Sequence, residues 1–226
     1  MALKPSHRLT NDKDLAQAVT ALARQCAHMH KIHVQHGLPP LRDFNADFSG
    51  LAKIVVGQQL STASANAIWG RLSAAIQPFG PENLCALSDA NLASLGLSRA
   101  KIRTLKAVAA AVTSGALNFR ALNRRSDAAI HDSLTSLHGI GPWTADIYLL
   151  FALRRTDAFA AGDLALQIAA QGLLGLDQRP TAAQLVEIAE RWRPFRAVAA
   201  RLLWSHYGAA RPGPKPFKTE KTHSKR

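Results

Sequence analysis

Apolar residues recur at helical spacing along almost the whole chain, and strand-like alternation never lasts more than a few residues. In "DKDLAQAVTALARQCAHMHKIHVQH" (12–36), Leu15, Val19 and Leu22 share one face, and Gly37 with two prolines ends the pattern. That predicts one long helix. Residues 48–76 are apolar and Ala-rich, and Gly57 with the Ser/Thr cluster behind it predicts a bend or two closely packed helices. Residues 81–98 read as two short helices, the second capped by Ser88 or Asp89 and ended at Gly96. "RAKIRTLKAVAAAVTSG" (99–115) is an amphipathic helix that stops at Gly115. Further helices are predicted over 126–137, 141–153, 163–175, 181–192 and 195–208. No internal repeat is visible, and nothing supports an N-terminal β-layer, so the predicted class is all-α.

Composition narrows this. The chain has 226 residues, 47% hydrophobic and 19% charged, enough for one sizeable unit or two small lobes sharing a cleft. Lys and Arg number 28 against 15 acidic residues, a net charge of +13. The Pro- and Lys-rich end "RPGPKPFKTEKTHSKR" (211–226) carries +5 of this, which leaves +8 on residues 1–210. The body is therefore basic in its own right. The first partner this suggests is nucleic acid, with an anionic membrane surface or an acidic protein as the other readings. Residues 209–226 have the composition of a disordered basic tail.

Cys26 and Cys85 are the only cysteines, which offers neither a disulfide framework nor a four-cysteine cluster for iron–sulfur or zinc. The nine histidines show no metal spacing. No signal peptide or run of about twenty apolar residues is present, so a soluble cytoplasmic protein without membrane contact is expected.

The helical pattern breaks once and restarts at once, in "LHGIGPWTADIYLL" (137–150). A helix ends near Leu137, "HGIG" makes a tight turn, and Pro142 suits the first turn of the next helix, where its missing N–H would be unpaired anyway. Gly139 and Gly141 can take backbone conformations closed to other residues and let another backbone come close. The free N–H groups of the turn then make an anion site, as in a helix–hairpin–helix grip on a DNA phosphate. An ordinary glycine-mediated helix connection is the plainer reading. Further on, Asp163 stands just before the helix "LALQIAAQGLL", 24 residues past Gly139. It reads as that helix's N-cap, and a capping carboxylate is held rigid by backbone N–H groups.

Hairpin, apolar helix and an aspartate at this distance resemble the helix–hairpin–helix DNA glycosylases, and within them the alkylpurine branch, the 3-methyladenine DNA glycosylase II group. Four stretches carry the likeness: "VVGQQLSTASANAIWGRL", "LGLSRAKIRTLKAVAAAV", "LHGIGPWTADIYLLFAL…DAFAAGDLAL" and "RWRPFRAVAARLLW", which together span most of 48–204. The resemblance implies two helical lobes with the active-site cleft between them. It places an N-terminal helical segment (1–45) on the second lobe and a glycosylase core at 46–208.

It implies that Asp163 is the catalytic carboxylate, stabilising oxocarbenium-like charge on the sugar and positioning or deprotonating the water. Trp143 stands where lyase members have a Schiff-base lysine, so the implied enzyme is monofunctional and leaves the abasic site uncut. Its ring, with Trp204, would face a cationic base in the pocket. Ile147 occupies a position that is aromatic in the best-known members, which implies a more open pocket. Gln58 and Gln59 match the approach to the gap left by a flipped nucleotide, and Ser61 would cap a helix or contact phosphate. Gly139, Gly141 and Thr144 would meet DNA. Of Arg99, Lys101, Arg103 and Lys106, at most two can share a DNA-facing surface. The backbone carbonyls of Thr135, Leu137 and Ile140 would hold a Na+ or K+. No cofactor is required, and no iron–sulfur cluster is expected.

The implied activity is release of alkylated purines from double-stranded DNA, 3-methyladenine and 7-methylguanine first, with etheno-adenine and hypoxanthine as further candidates. The enzyme would be a monomer of the bacterial cytoplasm, held at the nucleoid by DNA. A non-catalytic helix–hairpin–helix DNA-binding protein is the alternative; it would need the hairpin but neither Asp163 nor the aromatic pocket.

Overall fold

The computed structural model describes residues 8–42 and 44–210, and these form helices joined by short turns. No strand occurs among them beyond an isolated bridge between Arg8 and Arg155. The predicted first helix is two: α1 (Asp12–Gln25) and α2 (Ala27–His36), separated at Cys26, which is extended with φ −141° and ψ 114°. Gln25 donates its amide to the carbonyls of Arg191 and Arg193, so tertiary contacts hold the chain at the break. No Gly or Pro marks it.

The stretch 48–76 does divide, into α3 (Phe48–Gly57) and α4 (Thr62–Ala75). Then follow α5 (Pro81–Ala86) and α6 (Asp89–Ser94), the latter capped by Ser88. The amphipathic helix is α7 (Arg99–Thr113), with Ile102, Leu105 and Val108 buried. A single turn, α8 (Phe119–Leu122), was not evident from the pattern. The helices α9 (Asp127–Thr135) and α10 (Pro142–Ile147) flank the hairpin. Instead of running straight to Leu153, α10 widens into a π turn over Tyr148–Ala152, all of it buried. Last come α11 (Leu164–Leu174), α12 (Ala182–Ala189), a short 3₁₀ turn and α13 (Arg196–Ala210). Helix α13 takes in residues 209 and 210, so the expected tail is shorter than predicted; its remainder, 211–226, lies outside the described residues, as do residues 1–7 of the N-terminal segment.

The helices sort into two groups. Helix α7 packs on α3, α5 and α6, and α3, α9 and α10 pack around the π turn. Helices α1 and α2 pack on α13, which also packs on α11. The two groups meet where the π turn faces α13: Arg201 of α13 donates to the carbonyl of Leu150, and Phe151 stacks on Trp204 with ring centroids 5.5 Å apart. Asp157, in the connection after the π turn, accepts two hydrogen bonds from Arg196 at 3.0 Å each, and Ala197 N–H donates to the Thr156 carbonyl. This forked pairing pins the segment that leads to Asp163 against the start of α13.

Candidate active site

Asp163 stands at the junction of the two groups of helices. As predicted, it is the N-cap of α11, with Oδ1 accepting from Leu166 N–H at 3.1 Å. Two further donors reach it from other elements. Trp143 Nε1 of α10 donates to Oδ2 at 2.8 Å, and Trp204 Nε1 of α13 donates to Oδ1 at 3.1 Å. A carboxylate has about four acceptor positions, so three N–H donors fix its plane and leave room for one more partner. Leu164 and Ile168, one turn apart on α11, are 52% and 36% exposed, so the helix that Asp163 caps presents apolar side chains to solvent.

The hairpin sits beside this site. Ile140 is buried and anchors it, while Gly139 and Gly141 on either side are exposed. Gly139 has φ +77°, and a Cβ there would overlap the side chain of the buried Thr104 in α7. Its glycine is therefore required twice over. Gly141 is different from expectation: its φ is an ordinary −94°, and a Cβ would meet nothing. Among the described residues, the amides of both glycines have no acceptor. They remain available to an anion.

Two expected DNA contacts are internal braces. Gln58 Nε2 donates to Thr144 Oγ1 at 2.8 Å and to the Gly139 carbonyl at 3.3 Å, tying α3 to the hairpin. Thr144 is only 2% exposed, so its side chain cannot lie on the surface offered to a strand. Ile147 is likewise in the core and presents no wall to an open pocket. Gln59, by contrast, is exposed with φ +55° in the turn between α3 and α4. Ser61 caps α4, accepting from Ser64 N–H at 3.2 Å. Thr135 ends α9, and the Leu137 carbonyl accepts from Ile140 N–H within the turn.

The basic residues of α7 separate as their spacing predicts. Lys101 donates to the Val56 carbonyl at the end of α3, where burial lowers its pKa, and Lys106 pairs with Asp89. Arg99 and Arg103 stay exposed, one turn apart on one face.

The family model for the HhH-GPD superfamily of base excision DNA repair proteins matches residues 52–194. The chain belongs to that superfamily. Among its HhH-GPD relatives, the Schizosaccharomyces pombe DNA-3-methyladenine glycosylase 1 is 33% identical over 162 residues, 70% of this chain and 71% of the relative. The solved structure of the S. pombe 3-methyladenine DNA glycosylase in complex with abasic DNA superposes with a TM-score of 0.76 at 28% identity, covering 83% of this chain and 95% of the other. The DNA-3-methyladenine glycosidase of Bacillus halodurans gives a TM-score of 0.71 at 31% identity, over 84% and 89% of the two chains. The helix–hairpin–helix glycosylase fold expected from the motifs is thus the fold observed. No helix among the described residues is long and apolar enough to cross a membrane.

The indole N–H contacts to Asp163 were not legible in the sequence, where Trp143 and Trp204 read only as faces for a base. Nothing in linear spacing brings residues 143, 163 and 204 together; the only hint is that a buried tryptophan N–H needs an acceptor.

Proposed function

We propose that this HhH-GPD protein is a monofunctional DNA glycosylase that hydrolyses the N-glycosidic bond of alkylated purines, 3-methyladenine and 7-methylguanine foremost. The observation that carries this is the carboxylate of Asp163, held by one backbone N–H and two indole N–H groups from three separate helices. As the bond to the base breaks, positive charge grows on the sugar, and a fixed carboxylate stabilises it at no cost of reorganisation. Water adds to C1′ and gives up a proton, for which the remaining acceptor position of Asp163 is suited. A purine alkylated at a ring nitrogen is cationic and leaves as a neutral molecule, so one carboxylate suffices. Trp143 has no amine to form a Schiff base, and the product is an intact abasic strand.

The exposed amides of Gly139 and Gly141 receive a phosphate, and Gln59 enters the gap in the stack. A Na+ or K+ would suit the carbonyl oxygens of Thr135, Leu137 and Ile140, which lie at the negative end of α9, and would draw the phosphate closer. No cofactor takes part in the hydrolysis. The enzyme acts as a monomer in the bacterial cytoplasm, at the nucleoid.

The test is base release from methylated duplex DNA by wild type and Asp163→Asn. Release by wild type alone supports the reading. Equal release by both removes Asp163 from catalysis, and strand nicking by wild type removes the monofunctional assignment. Tight DNA binding with no release would make the protein a non-catalytic module.

A further inference from the structure

A recess of about 330 Å³ lies where α13 meets the π turn and the chain at 39–42, with Pro40, Arg42, Phe151, Arg201 and Ser205 in its wall. Arg201 interrupts an apolar run, Ala197–Leu203, every residue of which is buried, and is itself only 3% exposed. Its Nη2 donates to the Leu150 carbonyl at 3.0 Å and its Nη1 to the Pro40 carbonyl at 3.3 Å, while its Nε is buried with no acceptor. Two neutral carbonyls answer its hydrogen bonds but not its charge. Burial brings its pKa down to about 9, and the charges that act on it, those of Arg42 and Arg154, are positive too. Arg42 is exposed, and its guanidinium makes no hydrogen bond or ion pair among the described residues. Both guanidinium carbons lie over the Phe151 ring, 4.6 Å (Arg201) and 5.5 Å (Arg42) from its centroid. A buried cation without an opposite charge is costly, and an anion in the recess would relieve that cost.

The lining selects the anion. No carboxylate borders the recess, and Ser205, one turn after Arg201 on α13, adds a hydroxyl. Of the five N–H groups that an arginine offers, Arg201 gives two to carbonyls and has the rest to give. Two guanidinium charges and a hydroxyl, from α13 and from the chain at 42, match a tetrahedral group with up to two negative charges. A flat carboxylate would be satisfied by one guanidinium fork. The recess is at the small end of ligand sites, which run from roughly 300 to 1,000 Å³, so little beyond the charged group itself fits. We propose that the recess is a binding site for a single phosphate group, held by Arg42, Arg201 and Ser205. A backbone phosphate of DNA and a free phosphate or small phosphate ester share this chemistry. Either would fasten the chain at 39–42 to α13 beside Trp204, the residue that holds Asp163 Oδ1.

The experiment melts the full chain at fixed ionic strength against rising inorganic phosphate, and the rise in melting temperature gives a dissociation constant. Phosphate also stabilises proteins by exclusion from their surface, so each variant is compared with wild type. The constant should rise at least about tenfold in Arg42→Gln and Arg201→Met, and recover in part in Arg42→Lys. Ser205→Ala should raise it about threefold. Arg42 is exposed, so its replacement does not threaten the core, and it carries the test if Arg201→Met fails to fold. The hairpin amides are a second anion site, so Gly141→Ala is included and should keep most of the wild-type response. A response lost in Gly141→Ala but kept in Arg42→Gln assigns the phosphate to the hairpin and overturns the proposal. An equal response in wild type, Arg42→Gln and Arg201→Met overturns it as well. Asp43, next to Arg42, lies outside the described residues. A response in Asp43→Asn and none in wild type would mean that the chain supplies its own anion, which also overturns the proposal.

The source of the phosphate is read from the salt dependence of binding to an undamaged duplex. If a backbone phosphate enters the recess, Arg42→Gln lowers the slope of log affinity against log salt by about one. If the ligand is a free phosphate, the slope is that of wild type while the melting response is still lost. None of these readouts uses base release, so the site stands or falls apart from the glycosylase reading.

Discussion

Trp143 Nε1 stands 2.8 Å from Asp163 Oδ2, and the bond joins α10 of one helix group to the N-cap of α11 in the other. Tryptophan at this position therefore does more than exclude a Schiff-base lysine: it orients the carboxylate. Replacing Trp143 by Phe keeps an aromatic face and removes only the N–H. Release of 7-methylguanine should slow roughly tenfold, about the worth of one hydrogen bond to a charged group. The loss should fall on kcat rather than KM, since the base still meets a ring. Trp204→Phe should act the same way through Oδ1. A loss confined to KM in single-turnover and steady-state kinetics would show that the indoles serve the base alone.

The two hairpin glycines should respond in opposite ways. A Cβ on Gly139 would overlap Thr104 at a backbone φ of +77°, so Gly139→Ala should cost more than about 3 kcal/mol of stability. Gly141 is extended and its surroundings are open, so Gly141→Ala should change stability by less than about 1 kcal/mol. It should still weaken binding to undamaged duplex DNA, because a methyl group stands in the path of a phosphate. Melting curves and binding titrations on the two variants separate fold from grip. Equal melting temperatures would refute the steric account of Gly139.

Much of this site could be read from the chain because turn and cap chemistry is local. The hairpin follows from Gly139, Gly141 and Pro142, and Asp163 was visible as a cap before it could be argued as a catalyst. What stayed hidden depends on partners distant in sequence. The break at Cys26 follows no Gly or Pro and is held by Gln25 on the carbonyls of Arg191 and Arg193. The π turn after Ile147 interrupts a pattern that reads as continuous helix, because apolar residues surround it on all sides. Thr144 and Ile147 lie on the motif helix, yet its buried face takes both of them. A motif position names the segment and leaves the facing to packing.

Gln58 illustrates that facing. Its amide bridges Thr144 Oγ1 and the Gly139 carbonyl, so its role is to lock the hairpin onto α3. Gln58→Ala should cost about 1–3 kcal/mol, since Thr144 keeps a buried hydroxyl with its partner gone. Adding Thr144→Val should cost little more, giving a coupling energy of about 1 kcal/mol in a double-mutant cycle followed by denaturant unfolding. Additive losses would mean that the bridge carries no stability. Gln59, exposed in the same turn, should instead leave stability nearly unaffected and alter base release.

Asp146 makes stability depend on pH. It lies on α10, and burial pushes its pKa from 3.8 up to about 7, with the Arg196 charge drawing it partly back; His131 Nε2 of α9 is 3.8 Å away. Below about pH 4 the carboxyl is protonated in both folded and unfolded chains, and it makes no difference to stability. Between about pH 4 and 7 the unfolded chain ionises while the folded chain holds its proton. Folding then retains the proton that unfolding releases, so stability falls as pH rises through this window and levels off above it. Asp146→Asn removes the titration and keeps the shape. Its melting temperature relative to wild type should be level near pH 4, climb from there to about pH 7, and stay high at pH 8. A difference that is constant from pH 4 to 8 would show that Asp146 ionises in the folded protein as it does in the unfolded chain, and would refute the shift.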